Sequence, residues 1–274
     1  MERSHAEPDG DARLDRAAEA DPSGLAARRA AARTALRGVA AEARDAASTS
    51  AAVLPLGLAA VDAHLPGGGL GLGQPHEIAP LEEGDEPCAL GFGLALLARH
   101  LARVRGEALL VIAPGHPTPY GHGLAGLGLD PERVLLLEAG SDTEVYLALE
   151  EALRAGSLPA LAGLIESGLP LKQGRRLQLA AEAARPLLLI LRPARAEAAN
   201  GAATRWRIAA GGGGRDRFGC LTGPRWRAHL DRCRNGRPGT WLLEWDHAAH
   251  RFGLPDALAG HPPAARPGRA SEQA

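Results

Sequence analysis

The sequence predicts an α/β fold with a mainly parallel sheet. Two observations carry that prediction. Apolar runs such as Ala108–Ala113 and Leu187–Leu191 are continuous rather than alternating, the pattern of strands covered on both faces. Between such runs lie longer segments with apolar residues at three- and four-residue spacing, so strands and helices alternate along the chain.

The elements follow in order. Residues 1–23 are polar, charged and interrupted by Pro and Gly, and are expected to be disordered. Leu25 to Ala47 is almost wholly Ala, Arg and Leu, which predicts a helix with a small apolar face for a surface or partner-docking role. Beyond Val53, His76–Ala79 reads as a short strand ending at Pro80, and Cys88–Val104 as a helix on the spacing of Leu90, Leu94, Leu97 and Leu101. Strands are expected at Ala108–Ala113, Val134–Leu137, Leu161–Glu166 and Leu187–Leu191. Helices are expected at Asp142–Ala155, capped by Ser141 or Asp142, and at Arg175–Ala184. After Pro193 the texture changes. Thr204–Ala209 and Thr240–Asp246 read as strands of an antiparallel extension of the same sheet, with a tip at Gly211–Gly214. The domain organisation is a disordered amino terminus with an Ala/Arg-rich helix over 1–50, a core over 51–252, and a disordered tail over 253–274.

Composition excludes several functions. Of 31 basic residues only Lys172 is a lysine. A Walker A loop needs a lysine to reach the β- and γ-phosphates, and Lys172 lies in Pro-Leu-Lys-Gln-Gly-Arg, outside any such frame. Three widely spaced cysteines (Cys88, Cys220, Cys233) and no long apolar run fit a cytoplasmic protein with no membrane partner. Net charge is −1, yet residues 1–184 hold 16 basic against 25 acidic residues and residues 185–274 hold 15 against 7. All four tryptophans share the basic part, which points to an anionic partner there.

The segment Leu56–Leu90 is the most informative. Leu56-Gly57-Leu58-Ala59-Ala60-Val61-Asp62, then Pro66-Gly67-Gly68-Gly69, then His76-Glu77-Ile78 resembles the opening of a RecA-like core of the P-loop NTPase fold. In that family a G-x-x-x-L-D segment and a Gly-rich turn lead into a strand ending E-I and then the Walker A loop. Here the loop is degenerate. Pro80 stands for the first Gly, Asp85 for the second, Glu86 for the Lys and Pro87 for the Ser or Thr. Pro80 and Pro87 remove backbone donors, and Glu82, Glu83, Asp85 and Glu86 place four carboxylates where phosphates would sit. The loop is therefore expected not to bind ATP. The water-activating Glu that the family carries after its second strand is absent from Pro114-Gly115-His116-Pro117. Glu166 falls at the family's Walker B position and reads as a solvated or capping carboxylate. No catalytic residue, cofactor or metal is expected. Cys220, His229 and Cys233 match no familiar zinc spacing, and His116, Tyr120 and His122 read as loop packing.

A RecA-like frame with an eroded Walker A resembles the ImuA family of accessory proteins of bacterial damage-inducible mutagenesis. Arg205-Trp206-Arg207, Arg225-Trp226-Arg227 and Arg232-Cys233-Arg234-Asn235-Gly236-Arg237 strengthen the resemblance, which spans roughly residues 50–252. It implies a non-catalytic adaptor in SOS-induced translesion synthesis. Such an adaptor acts with an ImuB-type protein (an inactive Y-family-like polymerase) and an error-prone C-family polymerase, with contact to RecA as a further expectation. The alternative is a RecA/RadA-type DNA-dependent ATPase with a divergent nucleotide site. Candidate contacts to DNA or a partner are Arg205, Trp206, Arg207, Arg225, Trp226, Arg227, Arg234 and Arg237. On a strand, alternation places both arginines of a triplet on one face and the tryptophan on the other. That arrangement buries Trp206 and turns Arg205 and Arg207 toward solvent or the phosphates of single-stranded DNA.

Overall fold

A computed structural model of the chain describes residues 53–195, 201–214, 218, 220 and 223–255. The expected helix over 25–47 and all but the first residues of the expected tail lie outside these. A small antiparallel pair, β1 (Val53–Leu54) and β2 (Leu70–Gly71), flanks α1 (Ala59–Asp62) and precedes the main sheet. Then come β3 (Pro75–Pro80), α2 (Glu86–Leu101), β4 (Ala108–Ile112), α3 (Gly121–Gly126), β5 (Val134–Glu138), α4 (Asp142–Ala155), β6 (Ala160–Leu164), α5 (Leu171–Ala184) and β7 (Leu187–Leu191). The chain continues through β8 (Thr204–Ala210), β9 (Arg225–Cys233), β10 (Gly239–Asp246) and β11 (Arg251–Gly253).

The nine-stranded sheet runs β11-β10-β9-β8-β3-β7-β6-β4-β5. Its six strands from β8 to β5 are parallel, and β9, β10 and β11 add in antiparallel fashion. The α/β class and the mainly parallel sheet are as the sequence predicts. The antiparallel extension, however, begins one strand later than expected. β8 pairs parallel with β3, Ile78 opposite Trp206, because it lies on the far side of β3 from β7 and is not joined to its sequence neighbour as a hairpin. β11 also takes Gly253 into the sheet, where a tail was expected.

Helix α2 covers one face. Phe92, Leu96 and Leu97 join Ile78, Leu110, Leu189, Trp206, Trp226, Leu243, Trp245 and Phe252 in a single core. Helices α4 and α5 cover the other face over β4, β6 and β7, with Val145, Leu149 and Leu177 against Val111, Leu161 and Ile190. Ser141 caps α4, its hydroxyl accepting from Glu144 N–H at 3.4 Å, and Gly156 ends the helix in a left-handed conformation. β6 stops two residues before its apolar run predicts, because the N–H groups of Glu166 and Ser167 turn to the Asp142 carboxylate at 2.8 and 2.9 Å. Arg133 donates to the carbonyls of Leu101, Val104 and Gly106, a cation closing the carboxyl end of α2.

The glycine-bearing segment before β3 has a local cause. The Asp62 carboxylate accepts from the N–H groups of Leu56, Gly57 and Leu58 at 2.8, 2.8 and 3.1 Å, which folds residues 56–62 back on themselves. The turn puts Gly57 at φ 81, a region open to Gly. Gly69 lies where a Cβ would strike the Leu54 backbone. Replacing Asp62 by Ala strands three donors, so urea denaturation is expected to show a loss of about 2 kcal/mol. An unchanged midpoint would show the turn forms without it.

Two buried histidines hold the sheet to its surroundings. Burial lowers the pKa of His76 to about 4 and that of His100 to about 4. Neutral His76 donates from Nε2 to Gly71 O at 2.8 Å, so Nδ1 accepts the Thr204 hydroxyl at 2.8 Å. Thr204 in turn accepts from Trp206 Nε1 at 3.0 Å. His100 Nε2 reaches Pro159 O at 3.1 Å. With folded values below the unfolded value of about 6.5, the contribution is complete above pH 6.5. It is lost as pH falls toward 4, by up to about 3 kcal/mol per group. Denaturation midpoints measured from pH 7 down to 4 are expected to fall, and less steeply in His100→Gln.

Candidate functional site

The carboxyl-terminal edge of the parallel strands is where an α/β sheet places its sites. The loop Leu81–Asp85 leaves β3 there and runs straight into α2. Pro80 is buried as the last residue of β3, while Glu82, Glu83 and Glu86 are exposed. Two of the loop's backbone donors are taken by its own carboxylates. Gly84 N–H donates to Glu86 Oε2 at 2.7 Å, and Glu82 N–H to Asp85 Oδ2 at 3.3 Å. Asp85 Oδ1 accepts from Ala210 N–H at 3.0 Å, tying the loop to the end of β8. Pro87, in the first turn of α2, has no N–H to offer. Donors that could have faced an external anion face internal carboxylates instead.

Beside this loop lies a buried charge cluster that periodicity did not reveal. Glu77, at 1% exposure in the middle of β3, pairs with Arg192, whose Nε donates to Oε1, and with Arg205 at 3.4 Å. Arg192 also donates to Pro193 O at 2.8 Å and Ala194 O at 3.3 Å, which fixes the chain as it leaves β7. The available signal was a carboxylate inside a strand, since a buried carboxylate must find a cation.

The loop after β4 packs locally. His116 Nε2 reaches Ile165 O at 3.2 Å, and the Tyr120 and His122 rings meet at 5.1 Å in a tilted arrangement with Tyr120 exposed. Glu166 is exposed beside Gly115. Asp142 also accepts the Ser167 hydroxyl and, with burial as the larger cause, helps push the Tyr146 phenol up to about 12. Among the described residues no group of three or more His, Cys, Asp or Glu is placed to hold a metal. No described helix is long and apolar enough to cross a membrane.

The structure separates the candidate contact residues by face. Trp206 and Trp226 are 1% and 3% exposed and pack on Phe92 at 5.7 and 5.9 Å, so their indoles belong to the core and offer no stacking surface. The arginines lie on the opposite face, as alternation requires, but three are turned to carboxylates. Arg205 pairs with Glu77, Arg207 with Asp231 at 3.0 Å, and Arg225 with Glu244 at 3.0 Å, each side chain about four-fifths covered. Asp231 is placed for this by a bulge, since β8 steps from Arg232 to Leu230 on β9. Arg227 is exposed, opposite Leu242. Arg234 bonds Gly201 O at 2.7 Å, and Arg237 bonds Ala63 O at 3.4 Å. The two triplets are not side by side, because Arg227 faces Ala209 across the ladder.

Fold and site define an α/β protein whose mostly parallel sheet carries an acidic, self-bonded loop where its first central strand meets its first long helix. No protein-family model matches the chain. Protein ImuA from two strains of Caulobacter vibrioides is 36% identical over 236 residues, covering 79% of this chain and 94% of the relative. The chain belongs to the ImuA family.

The two faces differ in energetic role. Trp226→Ala is expected to cost about 3 kcal/mol of stability by opening a core cavity, whereas Arg227→Ser stays within about 0.5 kcal/mol. Equal costs measured by thermal denaturation would refute the assignment of faces.

Proposed function

We propose that this protein is a RecA-like adaptor of damage-induced mutagenesis that has no ATP chemistry of its own. The observation that carries the reading is the loop Leu81–Glu86, whose N–H groups at Glu82 and Gly84 are taken by Asp85 and Glu86. A phosphate-binding loop works by presenting such donors outward together with a lysine. This loop has neither feature; Glu83 is paired with Arg195 at 2.8 Å, and Glu82, Asp85 and Glu86 add negative charge that repels a nucleotide. The RecA-like reading is supported by β3, the first strand of the large sheet, lying between β7 and β8 and passing directly through this loop into α2.

As an adaptor the protein works through contacts, alongside an ImuB-type protein and an error-prone C-family polymerase, with RecA as a further partner. Membership of the ImuA family supports this assignment. Single-stranded DNA is a weaker expectation, since Arg205, Arg207 and Arg225 already face carboxylates and Trp206 and Trp226 are internal. Isothermal titration with ATP and Mg²⁺ separates adaptor from ATPase. Any dissociation constant is expected to be weaker than about 1 mM. Micromolar binding, or turnover stimulated by DNA, would establish the ATPase reading.

A further inference from the structure

Helices α4 and α5 leave a groove between their carboxyl-terminal halves, about 500 Å³ in volume and lined by Leu153, Arg154, Arg176, Leu179, Ala180 and Ala183. Glu150, also in its lining, has a side chain 7% exposed and pairs with Arg154 and, at 2.7 Å, with Arg176. The two guanidiniums stay 61% and 46% exposed. A guanidinium has five donors, so each keeps several for another carboxylate. Leu179, at 51% exposure, sits beside them. Lys172 lies one turn before Arg176 on the same side of α5, and Arg175 and Arg185 are exposed nearby, against Glu151 and Glu182. The groove is thus apolar within, and positive at its rim.

We infer that this groove is the docking site of the chain's own acidic amino-terminal stretch, residues 1–24. That stretch holds seven acids against three arginines, with Leu14 and several alanines between them. The acids complement Arg154 and Arg176, and Leu14 matches the exposed Leu179. The described chain begins close by. Val53 pairs with Gly71, and Gly73 N–H bonds Pro186 O at 2.8 Å with its Cα against Arg185, so β1 starts near the carboxyl end of α5. Residues 25–52 intervene. They span up to about 90 Å extended, and still about 35 Å if the Ala/Arg run is helical, so reach sets no limit. The contact joins a carboxylate-bearing apolar segment to a groove with spare guanidinium donors.

The single lysine makes a direct test possible on the intact protein. A carbodiimide couples an amine only to a carboxylate in contact with it, and Lys172 is the chain's sole lysine. Coupling followed by peptide mass spectrometry is expected to join Lys172 to an acid among residues 2–21 in the monomer band. Raising the salt to about 0.5 M, which shortens the screening length, should reduce the yield about fivefold. Leu179→Glu, at an exposed position, should reduce it by a similar factor. Arg154→Ser is the second variant, since Glu150 keeps Arg176, and it should also lower the yield. Links from Lys172 only to acids of α4 or α5 would overturn the assignment. So would links only in a dimer band, or a yield indifferent to both substitutions.

Discussion

The structure depends on satisfying two polar side chains buried in the middle of the sheet. β3 is enclosed on both faces, yet it carries His76 and Glu77, each 1% exposed. A buried carboxylate without a cation, or a buried imidazole without partners, would cost several kcal/mol. Glu77 recruits Arg192 from the end of β7 and Arg205 from β8, so its charge is met from the strands on both sides. His76 takes Gly71 on one side and Thr204 on the other, and Thr204 passes the chain to the indole of Trp206. One strand thereby fixes the β1–β2 pair before it and the two strands beside it.

With β8 held in place, the remaining strands follow from aromatic packing. Phe92 of α2 lies 5.6 to 5.9 Å from Trp206, Trp226 and Phe252, which belong to three different strands. Trp245 closes on Phe252 at 5.0 Å. Only 3% of the chain is aromatic, and most of those side chains meet here, on the α2 face of β8 to β11. The antiparallel extension is therefore part of the same core as the parallel strands. Its opposite face is where the arginines are left, and their carboxylate partners come from neighbouring strands.

The acidic loop leaves the same central strand, β3, at its carboxyl end. Its position between the central strand and the first long helix follows from the topology, while its shape is set by two carboxylates, Asp85 and Glu86, that bond its own backbone and β8. A loop that bonds its own backbone can hold its shape with no ligand, which suits the adaptor role proposed above. Surfaces for that role are available: the outer faces of α4 and α5 expose Leu147, Leu171 and Leu179.

The sequence by itself determined the α/β class, the position of nearly every strand and helix in the parallel part, and the facing of each Arg-Trp-Arg triplet. These are local properties, written in apolar periodicity, capping residues and strand alternation. It also located the loop after β3 and its acidic character. It did not show that β8 is parallel, because a strand's direction depends on how the connection crosses the sheet and not on the strand's own residues. Nor did it pair Glu77 with Arg192 or Arg207 with Asp231, contacts 115 and 24 residues apart in the chain. Whether an arginine faces a phosphate or a carboxylate is decided by what folding brings beside it, and only the tertiary structure supplies that neighbour.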